Sequence, residues 1–214
     1  MTFGLITEGP TDQVVLKYLL AGYFSNPDID IRAVQPNIDA TDRVSPGGWQ
    51  RVLNYCKSPD MAAVLQVEGF VIIQMDTDCC EEFGVQKRES GKDMTNEEIV
   101  EKTKNVIIGY IGKDLFTEFN QKIIFAISHE SIECWLLPLY YNDNNRTKTL
   151  NCCEKLNQEL QKGTFTLDCN SKQKKYYEKI CRDKRDKIRN RALIETISVH
   201  NVSFNQFIQR LSSL

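Results

Sequence analysis

The stretch Phe70-Val71-Ile72-Ile73-Gln74-Met75-Asp76-Thr77-Asp78 contains the clearest strand of the 214-residue chain. Its first six residues are almost wholly apolar, which is typical of a central strand covered on both faces by other elements. The run stops at Asp76, and a second acid follows at Asp78. The stretch therefore predicts a buried strand that ends in two carboxylates.

Three other short apolar runs predict strands, and they lie at residues 3–7, 29–34 and 122–127. The first ends at Glu8-Gly9-Pro10, and the residues after it are apolar at helical spacing. Helical segments also separate the later runs, so strands and helices alternate as far as residue 141. This order predicts an α/β fold with a mostly parallel sheet and helices on its faces.

The character of the chain changes after Asn142-Asp143-Asn144-Asn145. No clear strand follows, and the remaining segments have helical patterns, at residues 150–160, 172–180, 182–197 and 203–211. We therefore divide the chain into an α/β domain, 1–141, and a helical C-terminal extension, 142–214, packed on it.

Composition places the chain among ordinary globular proteins, with 41% hydrophobic and 26% charged residues. The formal net charge of -2 says nothing about partners. The 8 cysteines show no C-x-x-C spacing and only 2 histidines accompany them, so no zinc pattern emerges. We expect reduced thiols, a cytoplasmic location and no membrane association, because no signal peptide or membrane-length apolar run is present.

Acidic residues follow two of the predicted strands, Glu8 after the first and Asp76 with Asp78 after the most apolar one. In open α/β sheets, ligands bind beyond the carboxyl ends of the strands, so the three carboxylates converge if these strands are neighbours. Clustered carboxylates repel one another and need a cation. Oxygen ligands suit Mg²⁺ or Mn²⁺ rather than zinc.

These motifs resemble those of the Toprim family. Glu8-Gly9-Pro10-Thr11-Asp12 is similar to its E-G-x-x-D motif, and Asp76-Thr77-Asp78 is similar to its D-x-D motif. The resemblance implies a Rossmann-like core over roughly the first two-thirds of the chain. It also implies that Glu8 acts as acid/base or metal ligand and that Asp76 and Asp78 bind Mg²⁺. We interpret Asp12 as an N-terminal residue of the following helix rather than as a metal ligand.

One departure from the family pattern concerns the loop after the second motif. Many Toprim proteins continue as D-x-D-x-x-G, whereas here the glycine comes only at Gly84. The late glycine changes the expected geometry of the loop after Asp78, and with it the direction of the Asp78 side chain. The length leaves no room for a topoisomerase or primase module, so the chain looks more like small stand-alone Toprim nucleases, related to the overcoming-lysogenization-defect type and to phage-defence proteins.

A further acidic segment, Glu130-Ser131-Ile132-Glu133, follows the last predicted strand and enters a predicted helix over 131–141. Residues three apart share a helix face, so Glu130 and Glu133 are candidates for a second metal position. The alternatives are a partner of the helix dipole for Glu130 and a solvated helix residue for Glu133.

Basic residues crowd the segment 172–191, where Tyr176 and Tyr177 are interleaved with them. Such a segment can follow a phosphate backbone and stack bases, and it supplies our candidates for nucleic-acid binding: Lys174, Lys175, Lys179, Arg182, Arg185 and Arg189. The alternative is a solvated helix face with acid–base pairs.

Together these features predict a Mg²⁺- or Mn²⁺-dependent nuclease for DNA or RNA, which the resemblance connects with antiviral or mobile-element systems. Nucleic acid is the expected partner, with a protein of a defence system and a second copy of the chain as further candidates. Two alternatives stay open. One is a phosphoryl-transfer or nucleotide-processing enzyme with the same carboxylates, and the other is a non-enzymatic antitoxin or sensor module.

Overall fold

A four-stranded parallel sheet forms the centre of the computed structural model, which describes residues 1–37, 43–163 and 165–214. Its strands are ordered β2-β1-β3-β6, and two short strands form a separate antiparallel hairpin. The bounds are β1 Thr2–Ile6, β2 Asp30–Gln35, β3 Phe70–Asp76, β4 Arg88–Glu89, β5 Lys92–Asp93 and β6 Ile123–Ser128. The prediction of an α/β, Rossmann-like fold with a mostly parallel sheet is confirmed.

Strand β3 occupies the central position that its apolar sequence predicts. It pairs with β1 on one side and with β6 on the other, so that Ile72 is opposite Leu5 and Ile124. Ile72 packs into the apolar cluster on one face of the sheet, and Ile73 packs into the cluster on the other. Both faces are covered, which explains why the strand does not alternate with polar residues.

Eleven α-helices are present in the described part of the chain. They are α1 Pro10–Tyr23, α2 Trp49–Lys57, α3 Pro59–Val67, α4 Asn96–Ile111, α5 Lys113–Phe119, α6 Glu133–Tyr140, α7 Cys152–Leu160, α8 Lys174–Asp183, α9 Arg185–Ile188, α10 Arg191–Ser198 and α11 Val202–Ser212. Helices α2 to α4 supply the apolar residues on one face of the sheet, and α1, α6 and the later helices supply those on the other. No helix among the described residues is long and apolar enough to cross a membrane.

The helical extension shares its core with the α/β part. Trp135 of α6 is fully buried and stacks on Phe204 and Phe207 of α11, with ring centroids 5.1 Å and 5.3 Å away. The Trp135 indole N–H also donates to Ser203 Oγ at 2.8 Å. A continuous apolar cluster therefore crosses the boundary at residues 141 and 142.

Several helix predictions are wrong in their bounds, and those over 150–160 and 172–180 begin two residues before the observed α7 and α8. The predicted helix over 182–197 is divided into the end of α8, the short α9 and α10, because Asn190 accepts from the Leu193 N–H and starts a new helix there. The predicted helix over 131–141 begins only at Glu133. Helix α5 and the β4–β5 hairpin were not predicted.

The expectation of reduced thiols fails for four of the cysteines. Cys134 of α6 is bonded to Cys152, and Cys153 is bonded to Cys169. The adjacent pair Cys152-Cys153 thus bonds two different partners and fixes the start of α7 to α6 and to the segment that precedes α8. The free cysteines are Cys56, Cys79, Cys80 and Cys181.

We expect a thiol assay on the denatured, unreduced protein to find four free thiols, and an assay after reduction to find all 8. The Cys169→Ser variant provides the matched control. It should release the Cys153 thiol, so that the assay without reductant finds one more free thiol than in the parent. Detection of every cysteine without reductant would contradict both disulfides.

Candidate active site

Glu8 and Asp76 meet at the carboxyl ends of the neighbouring strands β1 and β3. Glu8 Oε1 accepts from the Asp76 backbone N–H at 2.8 Å. The buried side chain of Gln74 holds both residues, because its Oε1 accepts from the Glu8 N–H at 3.1 Å and its Nε2 donates to Asp76 Oδ1 at 2.8 Å. The strands β1 and β3 are neighbours, as convergence of these two residues requires, and the Glu8 carboxylate bonds the backbone of Asp76.

A glycine turn packs against the backbone of Glu8. The Gly48 N–H donates to Glu8 O at 2.7 Å, and a Cβ at Gly47 would lie only 2.1 Å from that oxygen. Gly47 is therefore required for the close approach, and the segment is a structural turn before α2 that fixes Glu8.

Asp12 joins the same cluster from the first turn of α1, where it is 4% exposed. Its charge acts on both Glu8 and Asp76. The sequence interpretation as a helix N-terminal residue describes its position correctly but missed its part in the cluster. The signal that could have found it is its place as the last residue of E-G-x-x-D.

Burial raises the pKa values of these three carboxyl groups. Loss of solvent is the main cause in each case, and repulsion by neighbouring carboxylates adds to it. The pKa of Glu8 rises to about 8, that of Asp12 rises to about 7, and that of Asp76 lies well above its ordinary value. The cluster therefore holds protons near neutral pH unless a cation compensates it.

Asp78 differs from Asp76 because it is exposed. Its Oδ1 accepts from the Cys79 N–H at 2.7 Å, while its charge still acts on Glu8. The chain then enters a 3₁₀ turn, Cys80–Phe83, which ends at Gly84 in the left-handed conformation with φ 90°. The late glycine thus closes a longer loop than the D-x-D-x-x-G pattern implies, and Asp78 lies on the solvent side of the site.

Glu130 and Glu133 do not share a helix face, so that expectation is wrong. Glu130 precedes α6 in a left-handed conformation with φ 60°. Its carboxylate lies 2.8 Å from Lys87 Nζ. Glu133 is fully buried, and its carboxylate lies 2.9 Å from Lys172 Nζ and accepts from the Tyr177 hydroxyl. Each of these candidates for a second metal position is thus paired with a lysine.

Lys172 is the cation of the buried cluster. Burial lowers the pKa of its ammonium, but Glu133 above all, together with Asp76 and Asp12, raises that pKa above its ordinary value. Burial raises the pKa of Glu133, but Lys172 and the hydroxyls of Ser131 and Tyr177 hold it below its ordinary value. Sequence reasoning did not single out Lys172, since nothing distinguishes it there from the other basic residues of 172–191.

We find no match for this chain among protein families, curated proteins or solved structures. The Toprim resemblance therefore rests on the two motifs and stays a prediction.

The donor atoms bear on whether a metal fits this cluster. Across 1–37, 43–163 and 165–214, no group of three or more His, Cys, Asp or Glu side chains is arranged to hold a metal ion. However, Mg²⁺ is usually bound by one or two carboxylates together with waters. Glu8 Oε2 and Asp76 Oδ2 accept no hydrogen bond within the described residues, so this pair fits the sparser arrangement.

The basic candidates form two groups. Lys174 lies 3.9 Å from Glu178, Lys179 lies 3.0 Å from Asp183, and Lys175 lies over the Tyr176 ring, as on a solvated face. The arginines Arg182, Arg185 and Arg189 are exposed. Tyr177 is buried against Glu133 and is not available to stack a base, contrary to the sequence interpretation.

The raised pKa values predict that the metal-free protein loses stability as pH rises. The native carboxyls bind protons more tightly than those of the unfolded chain, so the native state holds the extra protons. We therefore expect the free energy of unfolding to fall between about pH 4 and pH 8, by at most roughly 1.4 kcal/mol per pH unit for each group. Urea unfolding in EDTA across this range measures the slope, and stability that rises with pH would contradict the raised values.

Proposed function

We propose that this protein is a Mg²⁺- or Mn²⁺-dependent phosphodiesterase that cleaves DNA or RNA. The observation that carries the proposal is the cluster of the half-buried Glu8 with the buried Asp12 and Asp76, which meet at the ends of two parallel strands with too little positive charge beside them. Lys172 is already paired with Glu133, so it compensates the others only in part.

Glu8 and Asp76 would hold the ion through Oε2 and Oδ2, with Asp78 contributing from the exposed side of the site. When bound, the ion supplies charge neutralisation for the phosphate and a lowered pKa for an attacking water. Asp76 keeps its orientation through Gln74 and Glu8 keeps its orientation through the Asp76 N–H. Glu8 would also assist proton transfer from the attacking water.

The exposed basic residues after Gln173 would bind the phosphate backbone of the substrate. Lys174, Lys175, Arg182, Arg185 and Arg189 supply this charge, and Lys179 contributes less because Asp183 is paired with it. Cytoplasmic location, a defence-system partner and a homodimer remain parts of the proposal. A large distance between Glu8 and Asp76 would have favoured a non-enzymatic module, but the Glu8 carboxylate accepts a hydrogen bond from the Asp76 backbone.

A cleavage assay with single- and double-stranded DNA and RNA tests the proposal. We expect cleavage in Mg²⁺ or Mn²⁺ and none in EDTA, and we expect Glu8→Gln to reduce the rate about 100-fold through loss of proton transfer. Glu118→Gln, which changes an exposed acid of α5, is the matched control and should cleave like the parent. A Glu8→Gln variant with the parent rate would refute the role of Glu8.

A further inference from the structure

A cleft of about 610 Å³ lies beside the acidic cluster, between α1 and the edge strand β2. We call it the α1 cleft. Its apolar wall consists of Leu5, Val14, Ile31 and Ala33, and Tyr18 of α1 also lines it. Ile31 and Ala33 are only partly buried, because β2 is the edge of the sheet and helices cover this part of it incompletely. The volume is that of a site for a small organic ligand.

Positive charge dominates the rim of the α1 cleft. Lys17, Lys174 and Arg189 line it, and the acid that lines it with them is Glu178. Lys174 lies 3.9 Å from Glu178, whereas Lys17 and Arg189 form no ion pair with any residue of the described ranges. The cleft therefore favours a ligand that is both apolar and anionic.

Gln13 adds a specific polar group to this cleft. It is 6% exposed, and its Nε2 donates to Pro36 O at 2.8 Å. Its Oε1 is buried and has no hydrogen-bond partner in the described part of the molecule. Buried polar atoms are seldom left without a partner. Gln13 also lines the cleft, so we infer that its Oε1 takes an N–H group of the ligand as its missing partner.

We propose that the α1 cleft binds a nucleotide. The apolar wall and Tyr18 receive the base, Gln13 Oε1 accepts from an amino or ring N–H of the base, and Lys17 with Arg189 bind the phosphate. Pro10 lines the cleft and directly follows Glu8-Gly9, so the cleft opens beside the acidic cluster. The same chemistry suits a free mononucleotide and one unit of a nucleic-acid strand.

The test measures binding by calorimetry in EDTA, so that it does not depend on metal or cleavage. The probes are AMP, adenosine, inorganic phosphate and an oligoadenylate. We expect AMP to bind more tightly than either of its parts, and the double variant Lys17→Glu/Arg189→Glu to weaken it at least roughly tenfold per charge removed. The variant Lys57→Glu/Lys113→Glu makes the same charge change at two exposed lysines outside the cleft and should bind AMP like the parent.

Each possible result either supports or overturns the proposal. Tighter binding of AMP than of the oligoadenylate identifies a free nucleotide as the ligand, and an oligoadenylate that AMP displaces identifies a strand. No binding of either probe, equal binding of phosphate and AMP, or equal losses in the two double variants would overturn the proposal. AMP binding without any metal-dependent cleavage would refute the proposed function but would support nucleotide binding in the α1 cleft.

Discussion

Asp76→Asn is expected to reduce metal-dependent cleavage strongly and to stabilise the metal-free protein at pH 8. Asparagine keeps the shape of the side chain and an Oδ1 that accepts from Gln74 Nε2, but it removes a negative charge from a buried site. Loss of a metal ligand removes several kcal/mol of charge stabilisation, so we expect the rate to fall by about three orders of magnitude.

The gain in stability has a separate cause. The native pKa of Asp76 is raised because of burial and because of repulsion by Asp12 and Glu8, so ionisation of this group opposes folding above its unfolded pKa. Asparagine removes that opposition, and the gain should shrink as pH falls towards 4. Cleavage rates and urea unfolding in EDTA at pH 5 and pH 8 measure both effects. A variant that cleaves normally, or that is less stable at pH 8, would contradict the role of Asp76.

Lys172→Met is expected to destabilise the protein strongly at neutral pH. Glu133 is 0% exposed, and removal of its ammonium partner leaves a buried carboxylate whose charge is no longer compensated. Breaking such a pair costs about 3 kcal/mol, at the lower end of the known range because the Tyr177 hydroxyl still donates to Glu133. The loss should grow as pH rises, since the pKa of Glu133 would no longer be held low.

The matched control for this substitution is Lys174→Met, which removes a lysine that lies 3.9 Å from the partly exposed Glu178. We expect it to change the free energy of unfolding by less than about 1 kcal/mol. Adding Glu133→Gln to Lys172→Met should recover part of the lost stability by removing the buried charge. Equal effects of the two lysine substitutions in urea unfolding would contradict the buried pair.

Local patterns predicted the sheet well because three of its four strands, β1, β3 and β6, are strongly apolar. The run that ends at Asp76 identified the central strand, and the alternation of strands and helices identified the parallel topology. The meeting of Glu8 with Asp76 also followed from the sequence, since the ends of neighbouring parallel strands share one edge.

The remaining features depend on contacts between distant residues. Lys172 lies 39 positions from Glu133, and no local signal shows that its ammonium reaches this buried acid while Lys174 lies near the partly exposed Glu178. The bonding of Cys153 to Cys169 likewise follows from tertiary packing, because cysteine spacing alone allows many pairings.

The central claim is that the cluster of Glu8 and Asp76 binds a divalent metal ion. The most direct test is a crystal of the protein soaked in Mn²⁺ at pH 8, with anomalous diffraction recorded at the manganese edge. We predict one peak in contact with the carboxylates of Glu8 and Asp76, and no such peak in Asp76→Asn. A parent crystal that shows both carboxylates clearly but no anomalous peak between them would contradict the claim.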